Sequence, residues 1–180
     1  GDLVVEPATG LHRPWTLQGE LHHDGDCFEI NPVTWYTLAT YGVTVRGPDP
    51  TTLGIPVDTE ARVRFVVDNL QSYWASVAAD VQRACAEHAD RSFSGESFVW
   101  VALGALRLHY TAFTGDVTSK RGAGEYGLGV APAAFHDVLH QAMAMRATAE
   151  QGEASAALMA TAGELVRWVV DDTTAAFEAR

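Results

Sequence analysis

Between Val99 and Gly115 the chain reads VWVALGALRLHYTAFTG, with Arg107 as its single formal charge and no proline. Such a run opens as an apolar helix, and the rest of the protein has to be arranged around it. Gly115 is the residue type that most readily takes the left-handed conformation closing a helix. Five residues later comes Lys120, the only lysine in the protein. A charge set among Val101, Leu103, Leu106 and Leu108 costs stability unless something pairs with it. Arg107 is therefore expected to meet an anion, from its own chain or from a ligand.

The remaining helices follow from periodicity and caps. Asn31-Pro32 starts one, Asn being a strong N-cap and Pro preorganised for the first position, and Gly42 ends it. Val43-Thr44-Val45 reads as a brief extended piece before the loop GPDPTTLGIP. Asp58 caps a long helix to roughly Ala86, with Val63, Val66, Leu70, Tyr73, Val77 and Val81 on its apolar side. Asp90 to Ser97 is a polar break before the central helix. Ser119 caps a short helix holding Glu125 and Tyr126. Pro132 opens another, with Phe135, Val138, Leu139, Met143 and Met145 inward, and Gly152 precedes a last one through Leu158, Leu165, Trp168, Val169 and Phe177. The expected fold is mainly α: an antiparallel bundle of five or six helices with an N-terminal extended arm.

That arm, residues 1–30, contains Pro7, Pro14 and several glycines without helical period, and Leu3 to Val5 is its candidate edge strand. It resembles the tail of, or the linker from, a preceding domain; residues 31–180 form the helical domain. The chain starts at Gly1 without methionine, so it is expected to be processed or a piece of something longer.

A net charge of −11 argues against nucleic acid, whose phosphates demand a basic face, and suits a cationic small molecule. Cys27 and Cys85 are too few for a disulfide framework and fit a reducing, cytoplasmic setting. No apolar run reaches membrane-spanning length.

Each cluster that could carry chemistry has a plainer account. His22-His23-Asp24-Gly25-Asp26 gathers metal-ligand types, but adjacent side chains seldom converge on one ion, and a solvated loop fits better. His136 and His140 in HDVLH have the spacing of a zinc helix with Asp137 in place of the base glutamate, and no third ligand follows at a familiar distance. No nucleophile elbow or phosphate-cradling glycine loop is present. Arg107 with Lys120 stands apart, a planar fork beside a compact charge, the usual division of labour around a triphosphate. Residue chemistry leaves two accounts open: a phosphate pair, or Arg107 bridged to Glu60, Glu125 or Asp171 with Lys120 merely exposed.

Taken in order, these residues resemble the C-terminal half of the streptomycin/spectinomycin-type aminoglycoside adenylyltransferases. ALRLHYTAFTGDVTSKRGAGEYGL is similar to the family's A-R-x-x-Y-T-x-x-T-G-x-x-x-S-K-x-x-A stretch, and INPVTWYTLATYGVTVRGPDP and VDNLQSYW resemble the segments before it. The resemblance covers about residues 20–178. It implies a helical domain that closes over ATP and the antibiotic, while an N-terminal nucleotidyltransferase domain holds Mg2+ through a Gly-Ser motif and paired aspartates. That signature is missing here, since Asp24 and Asp26 lack the preceding Gly-Ser. No catalytic residue and no metal ligand are therefore assigned to this chain, and its standing as an enzyme depends on a partner domain.

On the same resemblance, Arg107 and Lys120 fall on nucleotide-contacting basic positions. Trp74 falls near an aromatic that contacts the aminoglycoside, although a core role suits it equally. Ser97 falls near an acidic position that the neighbouring Glu96 can supply. Trp100 stands where some members carry histidine, and Arg146 where some carry a tyrosine touching the nucleotide. The expected function is AMP transfer from ATP to a hydroxyl of a cationic small molecule once the catalytic domain is joined. The alternative is a non-catalytic ligand-binding or interaction module that kept the fold without the chemistry.

Overall fold

The structure is a computed structural model that describes residues 14–17, 19–23, 27–148 and 152–178. The candidate strand at Leu3 to Val5 and the residues Asp24, Gly25 and Asp26 lie outside the described residues. The chain divides into two compact units, residues 1–62 and 63–180.

In the first unit, β1 (Trp15–Leu17) pairs antiparallel with β2 (Glu20–His22). The Trp15 ring stacks on His22 at 4.2 Å. Helix α1 (Pro32–Tyr41) begins as its sequence requires: Asn31 Oδ1 accepts from the N–H groups of Val33 and Thr34, both at 3.0 Å. Gly42 follows its last turn. The extended piece expected at Val43-Thr44-Val45 joins no strand among the described residues, and both valines are exposed.

The long helix expected from Asp58 is present as α2 (Thr59–Asn69), a π turn (Leu70–Trp74) and α3 (Ala75–Glu87), running on without a break. Asp58 Oδ1 accepts the Ala61 N–H at 3.0 Å, which is the expected cap. The π turn corrects the expected apolar face. One extra residue in that turn moves the inward position from Tyr73 to Trp74, so Tyr73 is 50% exposed and Trp74 is buried.

Helix α4 (Gly95–Thr114) is the centre of the second unit. Every residue from Phe98 to Leu106 except the half-buried Trp100 is buried, because α7 (Ala156–Glu178), α5 (Lys120–Val130), α6 (His136–Ala147) and the π turn all pack on it. A helix apolar on nearly all sides has no other place in a bundle. Phe98, Leu103 and Leu106 have no exposed surface, and fully burying a side chain of that size stabilises by about 1.5–3 kcal/mol.

The polar break before α4 is shorter than expected. Ser94 is the N-cap, and β3 (Ser92–Ser94) pairs antiparallel with β4 (Glu153–Ser155), Phe93 opposite Ala154. The Gly95 N–H donates to the Gly152 carbonyl at 2.8 Å, clipping the start of α4 to the start of α7. The fold is mainly α, a helical bundle with six continuous helices among the described residues, and none of them is long and apolar enough to cross a membrane.

Candidate functional site

The turn from α4 into α5 builds the basic end of the site. Gly115 takes φ +73° and its N–H donates to Thr111 O at 2.9 Å, closing α4 by the expected left-handed cap. Ser119 Oγ then accepts the Gly122 N–H at 3.0 Å, so α5 starts with Lys120 at its first position. Arg107 donates Nε–H to the Thr118 carbonyl at 3.0 Å, which ties its guanidinium to this loop.

The structure corrects one expectation about Arg107. It is exposed rather than immersed in the apolar run, because continuous burial of α4 ends at Leu106 and the next residue turns about 100° to a different face.

Arg107 and Lys120 meet at an open cavity of about 840 Å³, with Arg121, Arg146, Ser119 and Glu125 in the same wall. Glu125 pairs with Arg121 at 2.9 Å. Neither it nor any other carboxylate of the described residues forms an ion pair with Arg107, Lys120 or Arg146. Burial pulls the Lys120 ammonium below its ordinary range, the charges of Arg146 and Arg107 push the same way, and Glu96 opposes them. Burial and like charges that outweigh a nearby carboxylate disfavour the charged form, and such arrangements cluster at ligand sites.

The second group of expected site residues centres on aromatic rings. Trp74 and Trp100 stack with centroids 4.7 Å apart, and Tyr73 meets both edge-on, at 5.8 and 6.3 Å. Gly104 makes this possible, since a Cβ there would run into the Trp74 ring. Glu96, Trp100 and Arg107, at steps of four and seven, share one face of α4. Ser97 lies off that face and is taken up in the helix start: its N–H donates to Ser94 Oγ at 3.2 Å, and the two hydroxyls are 2.8 Å apart.

A family model described as aminoglycoside adenylyltransferase, C-terminal domain, matches residues 66–172, well over half of the chain. The chain belongs to that family. No curated protein and no solved structure matches it. The matched span of this adenylyltransferase domain contains the π turn, the aromatic pair and every cation of the cavity.

Sequence reasoning missed His109. It is 2% exposed and stacks between Phe113, at 4.4 Å, and Trp168, at 5.5 Å. Asp172 Oδ2 lies 3.0 Å from Nε2 and Tyr126 Oη 2.9 Å from Nδ1. A carboxylate accepts, so Nε2 carries the proton, and the Tyr126 hydroxyl donates to the bare Nδ1. The neutral ring is fully satisfied and links α4, α5 and α7. Its partners lie 17 and 63 residues away, which no spacing in the sequence announces. Burial pushes its pKa below the ordinary value, against the pull of Asp172.

The folded domain thus resists protonation that the unfolded chain accepts near pH 6.5. The stabilising contribution is present above that pH and is lost as pH falls towards the lower folded value. Urea midpoints should fall more between pH 7.5 and 5.5 for wild type than for His109→Gln; equal falls would refute this. The substitution itself should cost about 1–3 kcal/mol at pH 7.5, by stranding Tyr126.

Of the metal candidates, His22 is stacked on Trp15, and His136 Nε2 lies 3.3 Å from the Ala131 carbonyl. His140 is exposed. No group of three His, Cys, Asp or Glu among the described residues could hold a metal ion.

Proposed function

We propose that this chain is the substrate- and nucleotide-closing domain of an aminoglycoside-adenylyltransferase-like nucleotidyltransferase, acting in the cytoplasm. Joined to an N-terminal catalytic domain, for which residues 1–30 are the tail or linker, it serves AMP transfer from ATP to a hydroxyl of a cationic small molecule. The observation that supports this is the convergence of Arg107 and Lys120 on one cavity with no carboxylate partner among the described residues. The family match supplies the reaction class.

In adenylyl transfer the acceptor oxygen bonds to the α-phosphorus, the bond from that phosphorus to the bridging oxygen of the β-phosphate breaks, and pyrophosphate carries away the negative charge. Arg107, oriented by Thr118, offers its two Nη groups to phosphate oxygens, and the Lys120 ammonium adds a point charge. The cationic cavity does not fit Mg2+, which requires oxygen donors. Magnesium belongs in this reading to the catalytic domain, as does the base that activates the hydroxyl. At the other end of α4, Glu96 attracts a cationic acceptor and the Trp100 ring, backed by Trp74, gives it a face to lie on. Ser97 borders that position.

The chain alone should bind ATP in calorimetry yet release no pyrophosphate from ATP, Mg2+ and streptomycin. Fusion to a catalytic domain should restore release. Pyrophosphate from the isolated chain, or no heat of ATP binding at millimolar concentration, would overturn the reading.

A further inference from the structure

The first unit has apolar surface but no apolar core. Among its described residues, Pro50 and Arg62 are the buried ones. Seven of the ten large apolar side chains left exposed in the described chain belong to it, among them Leu21, Phe28, Ile30, Val43, Val45 and Val57. So short a unit with so little burial is marginal alone, and apolar surface concentrated in this way marks an interface.

That surface has a centre. Residues 30–45, INPVTWYTLATYGVTV, contain no Asp, Glu, Lys, Arg or His, in a chain where 19% of residues are charged. Helix α1 is uncharged on every side and mostly apolar, yet it has no buried residue. A helix of that kind belongs inside a protein. Its own unit covers it only in part, through the turn Pro50–Thr52 and through the Arg62 guanidinium, 3.8 Å over the Tyr36 ring. Val43 and Val45 follow at 83% and 95% exposure. The backbone from Val43 to Val45 pairs with no other backbone among the described residues. β-branched residues on such backbone are suited to joining the edge of a sheet.

Three observations name the occupant. The family model for the C-terminal domain begins at Val66, just past the first unit, so this surface lies on the N-terminal side of that domain. The second unit offers no apolar face to match, its exposed large apolar side chains among the described residues being Tyr73, Phe113 and Val130. Charge disfavours a second copy, since each chain would bring a net −11 to a patch that holds no cation. What complements an uncharged surface is another uncharged surface.

We propose that α1 and Val43–Val45 are seated on the preceding nucleotidyltransferase domain, against an uncharged apolar face and an open strand edge. This rests on the nucleotide-closing reading above for the existence of that domain, and it moves the expected domain boundary from residue 30 to the neighbourhood of Arg62.

Hydrogen exchange read by mass spectrometry tests this in the full chain, and in the same chain with the N-terminal domain of a streptomycin/spectinomycin-type adenylyltransferase joined ahead of Gly1. In the chain alone, the amides of α1 should exchange about 100-fold faster than those of α4. Joining the domain should slow α1 and Val43–Val45 by about tenfold or more. Val43→Asp combined with Val45→Asp should leave the melting of the chain alone unchanged, because both side chains are exposed there, and should undo the slowing in the joined protein.

Exchange that stays fast on joining, or that slows equally in the double variant, would overturn the proposal. So would slow exchange of α1 in the dilute chain alone, which would mean that the chain covers this helix itself. Slow exchange only in the concentrated chain, with a doubled mass in sedimentation, would make the occupant a second copy and overturn it too. Pyrophosphate release from the joined protein separates the two readings: release with α1 still open removes the docking and keeps the nucleotide-closing reading, and a slowed α1 without release does the reverse.

Discussion

Gly104→Ala is expected to destabilise this domain by about 1–3 kcal/mol, the usual cost of overpacking a filled core. The added methyl would sit against Cη2 of Trp74 and 2.8 Å from its Cζ2. That indole is 5% exposed and stacked on Trp100, so it has no free direction in which to retreat. Alanine is worth roughly 1 kcal/mol more than glycine in a helix interior, which offsets part of the clash. Gly124 provides the comparison, because a Cβ there meets the flexible thioether end of Met143 at 2.6 Å. Gly124→Ala should accordingly cost less than Gly104→Ala. Urea denaturation followed by tryptophan emission reads both: stability falls and the emission shifts in Gly104→Ala. Wild-type stability with an unmoved spectrum would mean that the ring is not held where the structure places it.

The second large effect concerns ligand affinity. Arg107→Ala and Lys120→Ala should each weaken ATP binding about 10- to 100-fold, since hydrogen bonds to charged groups contribute roughly 1.5–3 kcal/mol. Neither should lower the thermal midpoint of the unliganded protein by more than a degree or two. For Lys120 a burial cost and the repulsion of Arg146 and Arg107 outweigh the attraction of Glu96, so removing it takes no net stabilising charge from the fold. Arg107 has one protein hydrogen bond from its guanidinium among the described residues, at the exposed Thr118 loop. Arg107→Lys keeps the charge and loses the fork, and should recover only part of the affinity. Thermal melts with and without ATP distinguish the outcomes, because a bound ligand raises the midpoint in proportion to its affinity. If ATP affinity is unchanged in both alanine variants, these residues are parts of the scaffold and the cavity is not a nucleotide site.

How far the sequence carries depends on whether a signal is local. Asn31-Pro32, Asp58, Gly115 and Ser119 act within four residues of themselves, and each caps or closes a helix as its type demands. The apolar run of α4 is similarly self-announcing. On the apolar face of α2 and α3 the sequence misleads at Tyr73, because a period of 3.6 puts it inward and has no way to register an inserted residue, while Val77 and Val81 pack on the core as expected. Three-residue strands such as β3 and β4 are too short to show alternation, and they form because Phe93 and Ala154 are delivered by distant helices. His109 is hidden for the opposite reason: a polar residue in an apolar helix looks like a surface position until Tyr126 and Asp172 arrive. For the site, the family motif pointed to Arg107 and Lys120, while the pairing of Glu125 with Arg121 is an i,i+4 pair within α5 whose spacing is open to view in the sequence.

Under the proposed function, one property of α4 bears on how acceptors of different size are handled. Glu96, Trp100 and Arg107 stand on a single uninterrupted rod, and at 1.5 Å of rise per residue the first and last are roughly 16 Å apart. Its middle is gripped by other helices, so this span works as a fixed ruler and cannot stretch or hinge between its marks. A bulkier or smaller guest must be met by exchanging the side chains at one end or by moving a different body altogether.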